Sequence, residues 1–166
     1  MFVTLLYARQ VNMFGYKPTI FYPTRPSKPL FDALYKQCEG MDMHVLSFFP
    51  SEAHLITDSY NFVADALFGF SFKAPVIPEF EPLMETLKKV ESPICSIDVP
   101  SGDPNGLQPE LLISLSAPKQ CARLFKGKHH YLCGKFVPRT LEQKYELNLP
   151  SYPGTDCVME LQQVTQ

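Results

Sequence analysis

The stretch Pro93-Ile94-Cys95-Ser96-Ile97-Asp98-Val99-Pro100-Ser101-Gly102 runs an apolar strand into a carboxylate, a hydroxyl and a glycine. Ile94, Ile97 and Val99 favour a buried strand. Pro100 ends it, because proline has no N–H to give a ladder, and Gly102 permits a sharp exit. Asp98 and Ser101 are left at the carboxyl end of that strand. Ligands of open α/β sheets bind in the crevice outside such ends, so the stretch reads as the floor of a site. The plainer reading, a loop cap in which Ser101 bonds nearby backbone, stands level with it on these residues alone.

On the N-terminal side of this strand, Phe80, Leu83, Met84, Leu87 and Val90 recur at helical spacing and predict a helix over 79–90. Before it, the apolar run 62–68 predicts a buried strand interrupted by Asp65, and short strands are expected at 19–22 and 43–48. Helices are expected over about 3–14, closed by Gly15, over 28–40, closed by Gly40, and over 51–58. Beyond Gly102, strands are expected at 111–115 and 130–133, and helices at 119–125 and 138–145, the last with proline in its first turn. Repeated strand–helix alternation implies a mainly parallel sheet with helices on both faces.

The bulk properties fit one domain spanning 1–166. At 166 residues and 45% hydrophobic content the chain can bury one sizeable core and no more. A formal charge of −2 gives no electrostatic case for nucleic acid or an anionic membrane as partner. The 16 prolines sit singly at element ends and punctuate a fold. Five widely spaced cysteines form no Cys-x-x-Cys pair, which argues against a disulfide framework or a zinc site and for a reducing compartment. No run approaches a membrane span, and the first residues lack the features of a signal peptide, so a cytoplasmic location is expected.

Two stretches share one logic. Asp65 is followed by Gly69-Phe70-Ser71-Phe72-Lys73, and Asp98 by Ser101-Gly102. A carboxylate inside a buried run costs on the order of several kcal/mol unless it is paired, hydrogen-bonded or bound to a cation. If the two strands are neighbours, their loops converge on one pocket whose oxygens suit a hard cation and the hydroxyls of a polar ligand. The competing reading has Asp65 capped by backbone and Asp98 solvated. Adjacent His129 and His130 would face opposite ways on a strand and read as structural. Arg123, Lys126 and Lys128 read as a solvated face. No glycine-rich dinucleotide loop, Walker loop or nucleophile elbow is present.

Several segments, taken together and in order, resemble one family. They are Phe14-Gly15-Tyr16-Lys17-Pro18-Thr19-Ile20, Asp65-Ala66-Leu67-Phe68-Gly69-Phe70-Ser71-Phe72-Lys73, Ser96–Gly102, Ser116-Ala117-Pro118-Lys119 and Gly134-Lys135-Phe136-Val137-Pro138. They are similar to the NAD(P)HX epimerases of the YjeF N-terminal domain family, also known as apolipoprotein A-I binding proteins. The resemblance implies a Rossmann-like three-layer αβα sandwich, in some members a homodimer, that interconverts the R and S epimers of hydrated NADH or NADPH (NADHX, NADPHX). It also implies one potassium ion per subunit, with Asp65 and Ser101 as ligands. Gly69, Phe70, Ser71, Phe72, Lys73, Ala74 and Pro75 match the substrate-contacting loop, and Asp98 matches a substrate-binding aspartate that is also the candidate catalytic group.

The chain departs from the family in three places. The family's first, central strand and its Asn-Asn-Gly-Gly-Asp loop would precede the helix over 3–14, so the sheet is expected to lack its central strand and the domain to be incomplete at its N-terminus. Ala74-Pro75 stands where Gly-Asp is usual, and a shortened turn, Asp103-Pro104-Asn105-Gly106, replaces the usual Trp-Asp. These departures leave a second expectation, a non-catalytic binding or scaffold protein of the same fold, with apolipoprotein A-I as partner. Members of the family also occur in mitochondria or are secreted.

Overall fold

A computed structural model describes residues 2–23, 28–102, 105–134 and 136–162. Of the shortened turn at 103–106, Asp103 and Pro104 lie outside the described residues, as does Lys135.

The elements follow in the order α1 (Phe2–Met13), β1 (Thr19–Phe21), α2 (Pro29–Gly40), β2 (His44–Leu46), α3 (Ala53–Ser59), β3 (Val63–Asp65), α4 (Glu81–Leu87), β4 (Ile94–Ile97), β5 (Leu111–Leu115), β6 (His129–Cys133), α5 (Arg139–Tyr145) and β7 (Val158–Glu160). The strands form two sheets among the described residues. β1 and β2 pair in parallel, and a second sheet has the order β3-β4-β5-β6-β7. In that sheet the first four strands are parallel and β7 joins antiparallel to β6. The expected mainly parallel sheet is therefore present in two pieces, with β1 and β3 each paired on one side only.

The layers follow from the alternation of side chains along a strand. Ile20 of β1 points into a cluster with Leu5 and Ala8 of α1 and Leu34, Tyr35 and Cys38 of α2. Its neighbour Phe21 packs instead beside Leu83, Met84 and Leu87 of α4, as does Val63 of β3. Helices thus cover both faces, which is the three-layer arrangement expected. Four-residue β4 is buried at every position, as a central parallel strand should be.

Several expected bounds move, each for a local reason. α1 ends as expected: Gly15 is left-handed, and Gly15 and Tyr16 donate back to Asn12 O and Val11 O. In α2, by contrast, Gly40 stays helical and the left-handed position falls on Asp42, with Met43 N bonding Cys38 O and Asp42 N bonding Glu39 O. Aspartate tolerates that region better than most side chains. The helix expected over 79–90 is narrower. A 3₁₀ turn, Pro78–Phe80, leads into α4, and the chain leaves it through tight bonds from Lys89 N to Thr86 O and from Val90 N to Leu87 O. The helix expected over 119–125 is a 3₁₀ turn, Gln120–Leu124.

Three successive parallel strands end on a left-handed residue: Asp98 after β4, Ser116 after β5 and Gly134 after β6. These are the carboxyl ends outside which open α/β sheets bind their ligands. Among the described residues no helix is long and apolar enough to cross a membrane.

Candidate functional site

β3 and β4 are neighbours in register, with Asp65 opposite Ser96. The two loops that follow them do converge, and they make two distinct constellations.

The first is centred on Asp65, which is 2% exposed. Its carboxylate accepts four hydrogen bonds. Ser96 Oγ donates to Oδ2 at 2.7 Å and Ser101 N to the same oxygen at 2.9 Å, while Ser101 Oγ and Leu67 N donate to Oδ1. Burial nonetheless pushes the Asp65 carboxyl above its usual range, against the pull of these donors. Ser101 Oγ in turn accepts from Phe68 N at 3.3 Å. Asp65 thus ties the start of the β3 loop to the β4 loop. A carboxylate offers about four lone-pair positions, and here all are filled by protein donors. Asp65 and Ser101 as arranged do not make a cation cage for potassium. Among the described residues no group of three or more His, Cys, Asp or Glu side chains is placed to hold a metal ion.

The second constellation is centred on Asp98, whose backbone is left-handed (φ 75°). Aspartate is one of the few side chains that visits this region, yet such residues concentrate at functional sites. Oδ2 accepts from Phe70 N at 3.0 Å. Oδ1 lies 2.6 Å from Lys119 Nζ as an ion pair and, among the described residues, accepts no hydrogen bond. The Asp98 side chain is 10% exposed and that of Lys119 27%. Both Asp98 oxygens are therefore fixed, one by a backbone N–H and one by an ammonium charge, and Oδ1 itself is closed to solvent. With a single hydrogen bond to its two oxygens among the described residues, the carboxylate keeps acceptor capacity that Asp65 does not.

The loop at 69–75 is brought to Asp98 only at its start. Gly69 runs so close that a Cβ there would stand 3.5 Å from Asp98 Oδ2. Phe72 N closes a turn on Gly69 O, and the Phe72 ring stacks on Phe68 at 4.7 Å between centroids. The Phe70 ring is exposed, as are Ser71, Lys73, Ala74 and Pro75, the last two joined by a cis peptide bond. A separate cleft of about 460 Å³, lined by Phe21, Phe49, Phe80 and Thr86 among others, contains none of the expected site residues. Cys95 is no nucleophile: burial, with the nearby Asp65 charge, pushes its thiol up to about 12. His130 is structural as expected, its Nε2 2.9 Å from Ser114 Oγ within the sheet.

Lys119 was not singled out as a site residue from the sequence. Its partners lie in a turn of its own chain and in a strand end 21 positions earlier, and no spacing rule links them. The only signal available was its place in the segment 116–119.

Residues 4–121, which hold both constellations, match the family of the YjeF-related protein N-terminus. The chain belongs to this family. YjeF-related N-terminal proteins include NAD(P)HX epimerases. A crystal structure of a yeast relative, YNL200c, is 32% identical and superposes with a TM-score of 0.85, covering 95% of this chain and 71% of the yeast one. At that identity and coverage the family likeness extends past residue 121 to the later strands.

Proposed function

We propose that this YjeF-related chain is an isomerase of the NAD(P)HX epimerase type, acting on the hydrated ring of NADHX or NADPHX at Asp98. The observation that carries the reading is the Asp98 carboxylate, held by one ion pair and one hydrogen bond. It sits at the carboxyl ends of parallel strands, next to the loop at 69–75, and is fixed by Phe70 N–H and Lys119. Interconverting two epimers at a hydroxylated ring carbon breaks the C–O bond and remakes it on the other face. The departing oxygen needs a proton, and the water that returns must give one up. The Asp98 carboxylate can take the proton of the returning water and release it to solvent, which protonates the departing oxygen, so protons balance over the cycle. Such proton transfer is typically worth about 10²–10⁴-fold in rate. Family membership supports the substrate class, and the unfilled acceptor capacity of Asp98 supports its role.

The experiment is to follow pure S-NADHX and pure R-NADHX by chromatography with the purified chain, with and without Asp98→Asn. The expected result is approach to one common mixture from either epimer, with the variant slower by at least about 10²-fold. Conversion no faster than the spontaneous rate refutes the epimerase reading. An Asp98→Asn chain as fast as the parent removes Asp98 from the mechanism.

A further inference from the structure

Lys119 is the residue at this site that no spacing rule reveals, and its surroundings are unusual. Ser116, between Leu115 and Ala117, is left-handed (φ 64°), and Ala117 N bonds back to Leu115 O at 2.8 Å. This tight, strained turn brings two carbonyls to one point. Lys119 Nζ donates to both, at 2.7 Å to Leu115 O and 3.1 Å to Ala117 O. The ammonium also stands 2.6 Å from Asp98 Oδ1 as an ion pair. Two of its three N–H groups are thus committed to the turn and its charge to the carboxylate, so Lys119 serves the turn and Asp98 together. A lysine that only capped the turn would not need to stand against a carboxylate that is 10% exposed.

We propose that Lys119 is the positioning residue of the Asp98 site. Phe70 N–H, from the loop after β3, holds Oδ2, and the Lys119 ammonium, fixed to the turn after β5, holds Oδ1. One carboxylate is thereby gripped from the loops of both neighbouring strands and keeps one orientation. The proposal rests on the epimerase reading for its kinetic consequence but not for its geometry. Displacing a reacting group by about 1 Å can cost about 10²-fold in rate, and that is the size of effect expected when Lys119 is lost.

The test uses Lys119→Met and Lys119→Arg, with Lys128→Met as a surface control, since Lys128 pairs with Glu110 in an exposed position. In epimerisation kinetics, Lys119→Met is expected to lower kcat by about 10²-fold with KM within about threefold, and Lys119→Arg to recover at least about a tenth of the parent kcat. A Lys119→Met kcat equal to that of Lys128→Met overturns the proposal, as does a change confined to KM. The second readout needs no turnover. Amide exchange at Phe70, measured by NMR, is expected to quicken at least about tenfold in Lys119→Met while the β5 amides keep their protection, because Asp98 is then free to leave Phe70 N–H. Unchanged exchange at Phe70 overturns the proposal. If Lys119→Met does not fold, Lys119→Gln, which keeps a donor for the turn and loses the charge, decides by the same two readings. A parent chain without epimerisation refutes the functional reading alone, and exchange at Phe70 then decides the role of Lys119.

Discussion

Replacing Asp65 tests the clasp between the β3 and β4 loops. Four donors converge on this carboxylate: Ser96 Oγ, Ser101 N, Ser101 Oγ and Leu67 N. Asp65→Ala leaves all of them without their acceptor in a place that is 2% exposed. Each unsatisfied buried donor costs about 1–3 kcal/mol taken singly, but such costs do not add, and breaking one side of a buried charged network typically costs about 3–5 kcal/mol. For a chain of this length that corresponds to a fall in Tm of about 6–20 °C, at about 2–4 °C per kcal/mol. Asp65→Asn is the informative partner. Placed with its amide nitrogen at the Oδ1 position, it faces Ser101 Oγ, which can turn to accept, and the long 3.3 Å bond from Leu67 N, which is lost. The two stronger bonds at Oδ2 survive. It also removes a charge that burial disfavours. Asparagine is therefore expected to cost about 1–2 kcal/mol, well under half the alanine value. Equilibrium urea denaturation, cross-checked by calorimetry, gives both numbers. A loss below about 1 kcal/mol for Asp65→Ala, or equal losses for alanine and asparagine, refutes the clasp.

Three other expectations follow from particular residues. Burial lowers the pKa of His130 below its usual 6.5, so between the folded value and 6.5 the unfolded chain binds more protons, and stability falls as pH drops through that window. His130→Gln should flatten that acid-side loss in urea midpoints taken between pH 7.5 and 5, and an unchanged slope would exclude His130 as its source. Gly15 and Gly102 are both left-handed, but a Cβ meets nothing at Gly15, whereas at Gly102 it would stand 2.9 Å from Met84 Cε and 3.1 Å from Gly106 Cα. Alanine should therefore cost about 1 kcal/mol at Gly15 and about 1–3 kcal/mol at Gly102; equal costs by thermal melting would deny any crowding there. In thiol labelling, exposed Cys157 should react in the native protein, while Cys95, fully buried and with its thiol pushed up to about 12, should wait for unfolding. Native labelling of Cys95 at the rate of Cys157 would contradict that burial.

The fold was legible where an element's own residues decide it. Apolar β-formers marked β1, β4 and β5, and Gly15 marked the end of α1 because glycine enters the left-handed region at no steric cost. Periodicity through Phe80, Leu83, Met84 and Leu87 found the buried face of α4 correctly, since all four are buried. It could not find the helix ends, because a 3₁₀ turn keeps nearly the same face with different hydrogen bonds. Gly40 misled because a glycine after a helix is only the commonest terminator, and Asp42 took the position two residues later. β7 escaped notice because two of its three residues are exposed and its existence depends on pairing with β6. Within the site, Asp65 and Asp98 were legible as carboxylates at strand ends. The pairing of Asp98 with Lys119 depends on how β4 and β5 lie together, which only the folded chain shows.

The two carboxylates, alike in sequence setting, have been given opposite work by their surroundings. Asp65 lies within β3, where Ser96 is its register partner, and the β4 loop returns a backbone N–H and a hydroxyl to it. With every lone pair engaged it can hold the loops together but has nothing left for a ligand. Asp98 lies one residue past β4, and its left-handed backbone breaks the strand geometry there. Its partners are fewer: Phe70 N–H at one oxygen and the Lys119 charge at the other. A carboxylate so held loses little orientational freedom when a substrate arrives, and among the described residues it has only one of its acceptor positions filled by a hydrogen bond. Saturation marks the structural aspartate and incompleteness the chemical one, and that difference is why changes at Asp65 should appear first in stability and changes at Asp98 first in rate.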